Sequence, residues 1–186
     1  IWAAERDGSG VEQLTHFEDR QVLRPVWSPD GSRLAFSGDA ADGYRAYVVD
    51  LTRPWADQEI VALPIPGAME FFQTHDWSTD GERLSGIYRD DESRGVAVYW
   101  LEDQRCEIVA EERPDWVDFV HWADPDRVVW SEGSTVNAAD LESGNTWQVL
   151  SVDPDGIVGL DLTSDGSELF FGRRSEQSDL WLLKLE

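Results

Sequence analysis

Three residues able to take part in acid–base or ligand chemistry recur along the chain at near-equal spacing: Asp76, His121 and Asp161, separated by 45 and 40 residues. Each stands directly before the same landmark in the sequence, Trp77, Trp122 or Leu162, and Val26 holds the matching place before Trp27. Two carboxylates flanking an imidazole could bind a cation, or position a polar ligand through charge and hydrogen bonds. The same set could instead bond buried water or backbone in a wet channel. His75 is a neighbour and would replace His121 in the set if the register slipped by one. Either role requires positions far apart in sequence to meet, which a repeated architecture can arrange.

Other chemistry is sparsely represented. The sequence holds no G-x-S-x-G, H-E-x-x-H, G-x-x-x-x-G-K-[ST] or G-x-G-x-x-G pattern, so nucleophilic, zinc-peptidase and phosphate-cradling sites lack their usual frames. With His16, His75 and His121 as the only imidazoles, none in a recognisable triad setting, no catalytic residue and no cofactor is expected. Thirty-eight carboxylates make any single acid pair uninformative for glycoside hydrolysis. "SVDPDG" sets Asp153 and Asp155 before Gly156, and "GDAADG" sets Asp39 and Asp42 before Gly43. Neither completes the spacing of a calcium loop, so both read as turns with carboxylates bonded to their own backbone, and no metal is assigned. Acidic clusters such as "RDDES" read as solvated loops.

A net charge of −23 repels phosphate and argues against nucleic-acid or anionic-membrane partners. Partners are expected to be a protein or a small-molecule ligand. No apolar run has the length of a membrane span, so this segment is not expected to insert in a bilayer. The single Cys106 excludes an internal disulfide and fits any compartment. The chain opens on Ile1 in the middle of its pattern, and a longer parent is expected.

The architecture is written in the repeat. "VWSPDGSRLAF", "DWSTDGERLSG" and "DLTSDGSELFF" share one turn flanked by apolar runs. "HWADPDRVVW" is a shorter copy without the glycine. Asp30 with Gly31, Asp80 with Gly81 and Asp165 with Gly166 supply local side-chain bonds and the positive φ that closes a hairpin. Each period holds four short runs of strand type, among them "SRLAFS", "RAYVVDL" and "EIVAL" in the first copy. No stretch shows amphipathic helical periodicity. Repeats of 40 to 50 residues built from four antiparallel strands describe the blades of an all-β propeller. The divisions expected are 1–20, the end of an earlier blade; 21–66, 67–113 and 114–153, three blades; and 154–186, a last blade lacking its outer strand. Ten tryptophans suit apolar faces between blades. "WADQEIVALPIPG", with Trp55, Pro64, Pro66 and Gly67, could be an exposed partner-binding loop or could pack over a blade edge.

The aromatic-Ser-Pro-Asp-Gly signature followed by an apolar strand resembles the WD-like propeller repeat of TolB-type proteins. It is closest at Trp27 to Phe36 and Trp77 to Leu84, fair at Leu162 to Phe171 and weak at Trp122 to Trp130. The opening "ERDGSGVEQLT" and ending "SDLWLLKLE" are similar to C-terminal propellers of bacterial Ser/Thr kinases and winged-helix regulators. That resemblance implies a propeller of six or more blades, of which about four to four and a half lie in this chain, serving as a non-catalytic sensory or interaction module of a bacterial signalling protein. Prolyl-oligopeptidase-like peptidases carry similar substrate-gating propellers, and a TolB-like parent would be periplasmic.

Overall fold

The computed structural model describes residues 1–17, 20–40, 43–65, 69–112, 117–163 and 166–175. Five antiparallel sheets follow one another. Strands β1 (Trp2–Ala3) and β2 (Glu12–Gln13) form a short pair. β3 (Val22–Trp27), β4 (Arg33–Ala40) and β5 (Gly43–Asp50) make a three-stranded sheet. β6 (Phe71–Trp77), β7 (Arg83–Arg89), β8 (Arg94–Trp100) and β9 (Arg105–Glu112) make a four-stranded one. So do β10 (Val117–Asp124), β11 (Arg127–Glu132), β12 (Thr135–Asp140) and β13 (Thr146–Ser151). β14 (Gly156–Leu162) and β15 (Leu169–Arg174) form the last pair. Among the described residues the helical content is one 3-10 turn, Trp55–Asp57, and no helix is long and apolar enough to cross a membrane.

The first full sheet differs from the four-strand expectation. "EIVAL" contributes a single bridge, Tyr47 to Ala62, continued by the Leu63 amide donating to the Ala46 carbonyl. Trp55 resolves the open reading of this connection: it is half-buried and meets Phe17 edge-on at 5.2 Å, so the loop packs over the sheet. The expected third strand of the last sheet, "DLWLLKL", lies outside the described residues, as do Asp42, Pro66, Gly67 and Asp165.

Three core clusters lie between two sheets, and a fourth packs β4 and β5 against Ile1, Leu14, Phe17 and Trp55. Phe72, Trp77, Leu84, Tyr88, Ala97 and Tyr99 pack on Ala35 and Ala46 of the preceding sheet. Val96 and Val98 face the other way, onto Val120, Trp122, Val128 and Trp130. Adjacent residues of β8 therefore serve opposite interfaces, as the period of two in a strand dictates. β11 repeats the device, with Val128 and Trp130 on one face and Val129 on the other. Two buried faces explain why these strands read as continuous apolar runs instead of alternating ones.

A second contact recurs at the sheet boundaries. The guanidinium of Arg33 lies 4.9 Å from the ring centre of Trp77 and donates to the Gly81 carbonyl at 2.7 Å. One period later, Arg83 lies 4.9 Å from the ring centre of Trp122 and pairs with Asp80 at 2.6 Å. Trp77 and Trp122 thus each receive a cation from the turn of the preceding sheet. Trp77 and Trp122 are 4% and 5% exposed, whereas Trp27 is 52% exposed. The relay stops at Leu162, which has no ring to offer. Arg127 pairs with Asp124 of its own turn at 2.8 Å.

The turns hold themselves together. Ser28 Oγ donates to Asp30 at 2.6 Å and accepts from the Arg33 amide at 2.9 Å. Ser78, Asp80 and Arg83 repeat those bonds at 2.6 and 2.9 Å. Bonds from the Ser28 hydroxyl and the Ser32 amide and hydroxyl lower the Asp30 carboxyl to about 2. The glycines close the turns at positive φ: 71° at Gly31, 75° at Gly81 and 68° at Gly166. A methyl at Gly31 would meet open space, while one at Gly166 would overlap the Ala123 carbonyl of the neighbouring sheet. Gly31→Ala is expected to cost about 1 kcal/mol from backbone strain alone. Gly166→Ala should cost at least about 2 kcal/mol more, because a sheet contact must also open. Urea denaturation of the two variants checks the ordering; equal losses would deny the contact.

Candidate functional site

The first strand of each full sheet lies against the first strand of the next: β3 against β6, β6 against β10, and β10 against β14. Each of these inner strands carries a bulge before its landmark. The register slips between Leu23 and Val26, Thr74 and Asp76, Val117 and Val120, and Ile157 and Leu160. A bulge adds one residue opposite the partner strand and re-aims the side chains beyond it. In consequence Val26, Asp76, His121 and Asp161 line one cavity of about 340 Å³, with His75 and Trp77 beside them. The structure brings the four marker-preceding positions together, along with the histidine one place earlier.

Their partners differ. Asp76 accepts from the Trp77 amide at 2.8 Å and, across the sheet boundary, from the Trp122 amide at 3.0 Å. It is therefore part of the joint between two sheets, and its removal would leave the Trp122 amide without this acceptor. Asp161 makes the corresponding local bond to the Leu162 amide at 2.8 Å and is otherwise exposed. His121 Nδ1 lies 3.5 Å from the Asp76 carboxylate. Burial opposes charge on His121, but the bond and charge of Asp76, the charge of Asp161 and a backbone bond to Leu160 outweigh it, and its pKa is raised. His75 goes the other way: burial, then the charges of Arg24 and His121, push its pKa well below the ordinary histidine value. Its Nε2 is buried without a hydrogen-bond partner.

The site so built sets His121, its pKa raised by two carboxylates, between Asp76 and Asp161, next to the buried His75, whose pKa is pushed down. Among the described residues no three His, Cys, Asp or Glu side chains stand close enough to hold a metal ion. Asp155 and Asp39, expected to bond their own turn backbone, instead bond groups 18 to 20 residues away. Asp155 receives Ser175 Oγ at 2.7 Å and pairs with Arg173, and Asp39 accepts from the Gln21 amide at 3.3 Å. Asp30, Gly31, Asp80, Gly81 and Gly166 occupy turns. Sequence reasoning missed the arginines: an Arg six residues after Trp27 and after Trp77 was the available signal for the cation relay.

No family model matches the sequence, and no curated protein matches it either. Solved structures do. TolB from Acinetobacter baumannii superposes with a TM-score of 0.72 at 14% identity, covering 96% of this chain and 44% of that one. A putative TolB from Agrobacterium tumefaciens gives 0.64 at 16% identity, covering 83% and 54%. The fold is that of a TolB-type β-propeller. A puromycin-hydrolyzing peptidase of Mycobacterium tuberculosis gives 0.57 at 20% identity, covering 81% of this chain and 24% of that one. The chain thus spans about half or less of each of these structures, and the likeness reaches propellers from proteins with and without hydrolytic activity in their names.

The two histidines should titrate in opposite directions from their ordinary value. His75 stays neutral in the fold, so its contribution to stability is expected to be lost as pH falls below the unfolded histidine value. His121 has a raised folded pKa, so its contribution is present below the unfolded value and lost as pH rises through the folded one. Proton NMR of the two ring resonances checks this; titration of both together would contradict the assignment.

Proposed function

We propose that this propeller is a non-catalytic binding scaffold, and that the cavity of Val26, Asp76, His121 and Asp161 is where it receives a polar group of a partner protein or small molecule. The observation carrying this reading is convergence: four positions 40 to 50 residues apart line one cavity because every inner strand bulges just before its landmark. The geometry favours a ligand that donates hydrogen bonds or carries positive charge, since Asp161 is an exposed carboxylate at the cavity and the whole chain carries −23. No serine or cysteine is among the described residues lining the cavity, which supports a reading without a covalent nucleophile. In a longer parent such a module would serve as the sensory part of a bacterial signalling protein. The likeness to a peptidase propeller supports a second reading, a substrate-gating propeller, in which the same cavity would touch a passing peptide.

Asp76→Ala is a poor probe, because it also removes the acceptor of the Trp122 amide. Asp161→Asn keeps the bond to Leu162 and removes charge alone. A short arginine-bearing peptide is expected to bind the native protein, and Asp161→Asn to weaken it about threefold or more in isothermal titration. Equal affinity for both proteins would refute the assignment of this cavity. Cleavage of the peptide, abolished by His121→Ala, would refute the non-catalytic reading.

A further inference from the structure

The opposite ends of the same inner strands enclose a second cavity, of about 220 Å³, with a different character. Arg24 of β3, Arg89 of β7 and Arg94 of β8 line it, with Gln73 of β6 and one carboxylate, Asp118 of β10. The chain has fifteen Lys and Arg against 38 acids, so three guanidinium groups around one small space is a concentration that the composition does not favour. Arg89 and Arg94 are placed directly opposite each other across the β7–β8 hairpin, where like charges destabilise a sheet. The Arg89 guanidinium lies 5.3 Å from the ring centre of Phe71, which restricts the plane in which it presents its donors. Arg24 sits in the β3 bulge at φ 54°, a conformation that side chains other than glycine rarely adopt and that strained functional positions often do.

The Asp90 carboxylate in the hairpin turn between the arginines bonds the amides of Glu92 at 2.9 Å and Ser93 at 2.6 Å, and Asp90 and Arg94 each have further partners, so the open donors are those of Arg24 and Arg89. Apolar walls complete the space: Phe71, Ile87 and Val117. His75 feels both groups of residues. It lines the first cavity, and the charges of Arg24 and of His121 both act on it.

We propose that this arginine-lined cavity is a binding site for a small organic carboxylate, gripped by the guanidinium groups of Arg24 and Arg89 with its carbon skeleton against Phe71, Ile87 and Val117. A planar carboxylate matches the fork of a guanidinium in a two-bond contact. Apolar walls give an organic body something to bury against that inorganic phosphate lacks. The charge of Asp118 acts on Arg24 and opposes any anion, a dianion more than the single charge of a carboxylate. The site is independent of the acidic cavity at the other end, because it uses different residues and the opposite charge.

Benzoate, its neutral analogue benzamide, and inorganic phosphate are the probes, measured by isothermal titration on the whole chain. Benzoate is expected to bind at least about tenfold more tightly than benzamide or phosphate. Arg24→Gln and Arg89→Gln should each weaken benzoate about fivefold or more, whereas Arg53→Gln, on a surface turn, should leave it unchanged. Arg24→Lys and Arg89→Lys keep the charge but lose the fork, and are expected to weaken benzoate while circular dichroism shows the native sheet signal. If benzoate fails to bind up to its solubility limit, if benzamide or phosphate matches it, or if neither the Gln nor the Lys variants lower its affinity, the proposal is overturned.

Discussion

The structure depends on sheets being buried on both faces. A two- to four-stranded sheet of this size has too little apolar surface of its own to stand alone, and here the clusters holding it are shared with its neighbours on each side. Onto that non-directional burial the chain adds a directional contact, the cation of one turn stacked on the indole of the next sheet. Apolar packing alone tolerates sliding between faces. A guanidinium held by the Gly81 carbonyl on Trp77, and another held by Asp80 on Trp122, set where one sheet lies on the next.

Placement of the functional positions follows from this. Because successive sheets are registered through equivalent turns, equivalent residues of their inner strands come to the same level, and the bulges turn them toward a common space. Asp76 shows how closely construction and site are linked: one carboxylate joins the amides of two landmark tryptophans and raises the pKa of the neighbouring His121. Asp161 and Val26 have fewer structural duties, which makes them the positions where the site can be altered without loosening the joint. The two ends of the inner strands are also chemically opposed, with carboxylates near the landmarks and guanidinium groups at the strand starts.

Much of this was legible in the residues. The Trp27, Trp77 and Trp122 spacing gave the repeat, Asp-Gly pairs marked the hairpins, and equal places before each landmark led to Asp76, His121 and Asp161 meeting. What the sequence hid were properties that depend on pairs of blades. "EIVAL" has the composition of a strand but makes one bridge, with Ile60 and Ala62 packed beside Phe17 and Trp55 on one cluster. Asp76's second bond reaches an amide in another sheet, and the arginine cavity joins residues of three sheets with no shared motif. Local patterns disclose strands and turns. They do not disclose which side chains a neighbouring sheet will bring within reach.

The central claim is that stacking of arginine on tryptophan contributes to joining one sheet to the next, beyond the burial of the ring. A double-mutant cycle with Arg33→Met and Trp77→Leu, read by urea denaturation, isolates that contribution. The account requires a favourable coupling of about 1 kcal/mol between the two side chains, with the double variant less destabilised than the sum of the single ones. Strict additivity would contradict it, leaving apolar burial as the whole of the joint.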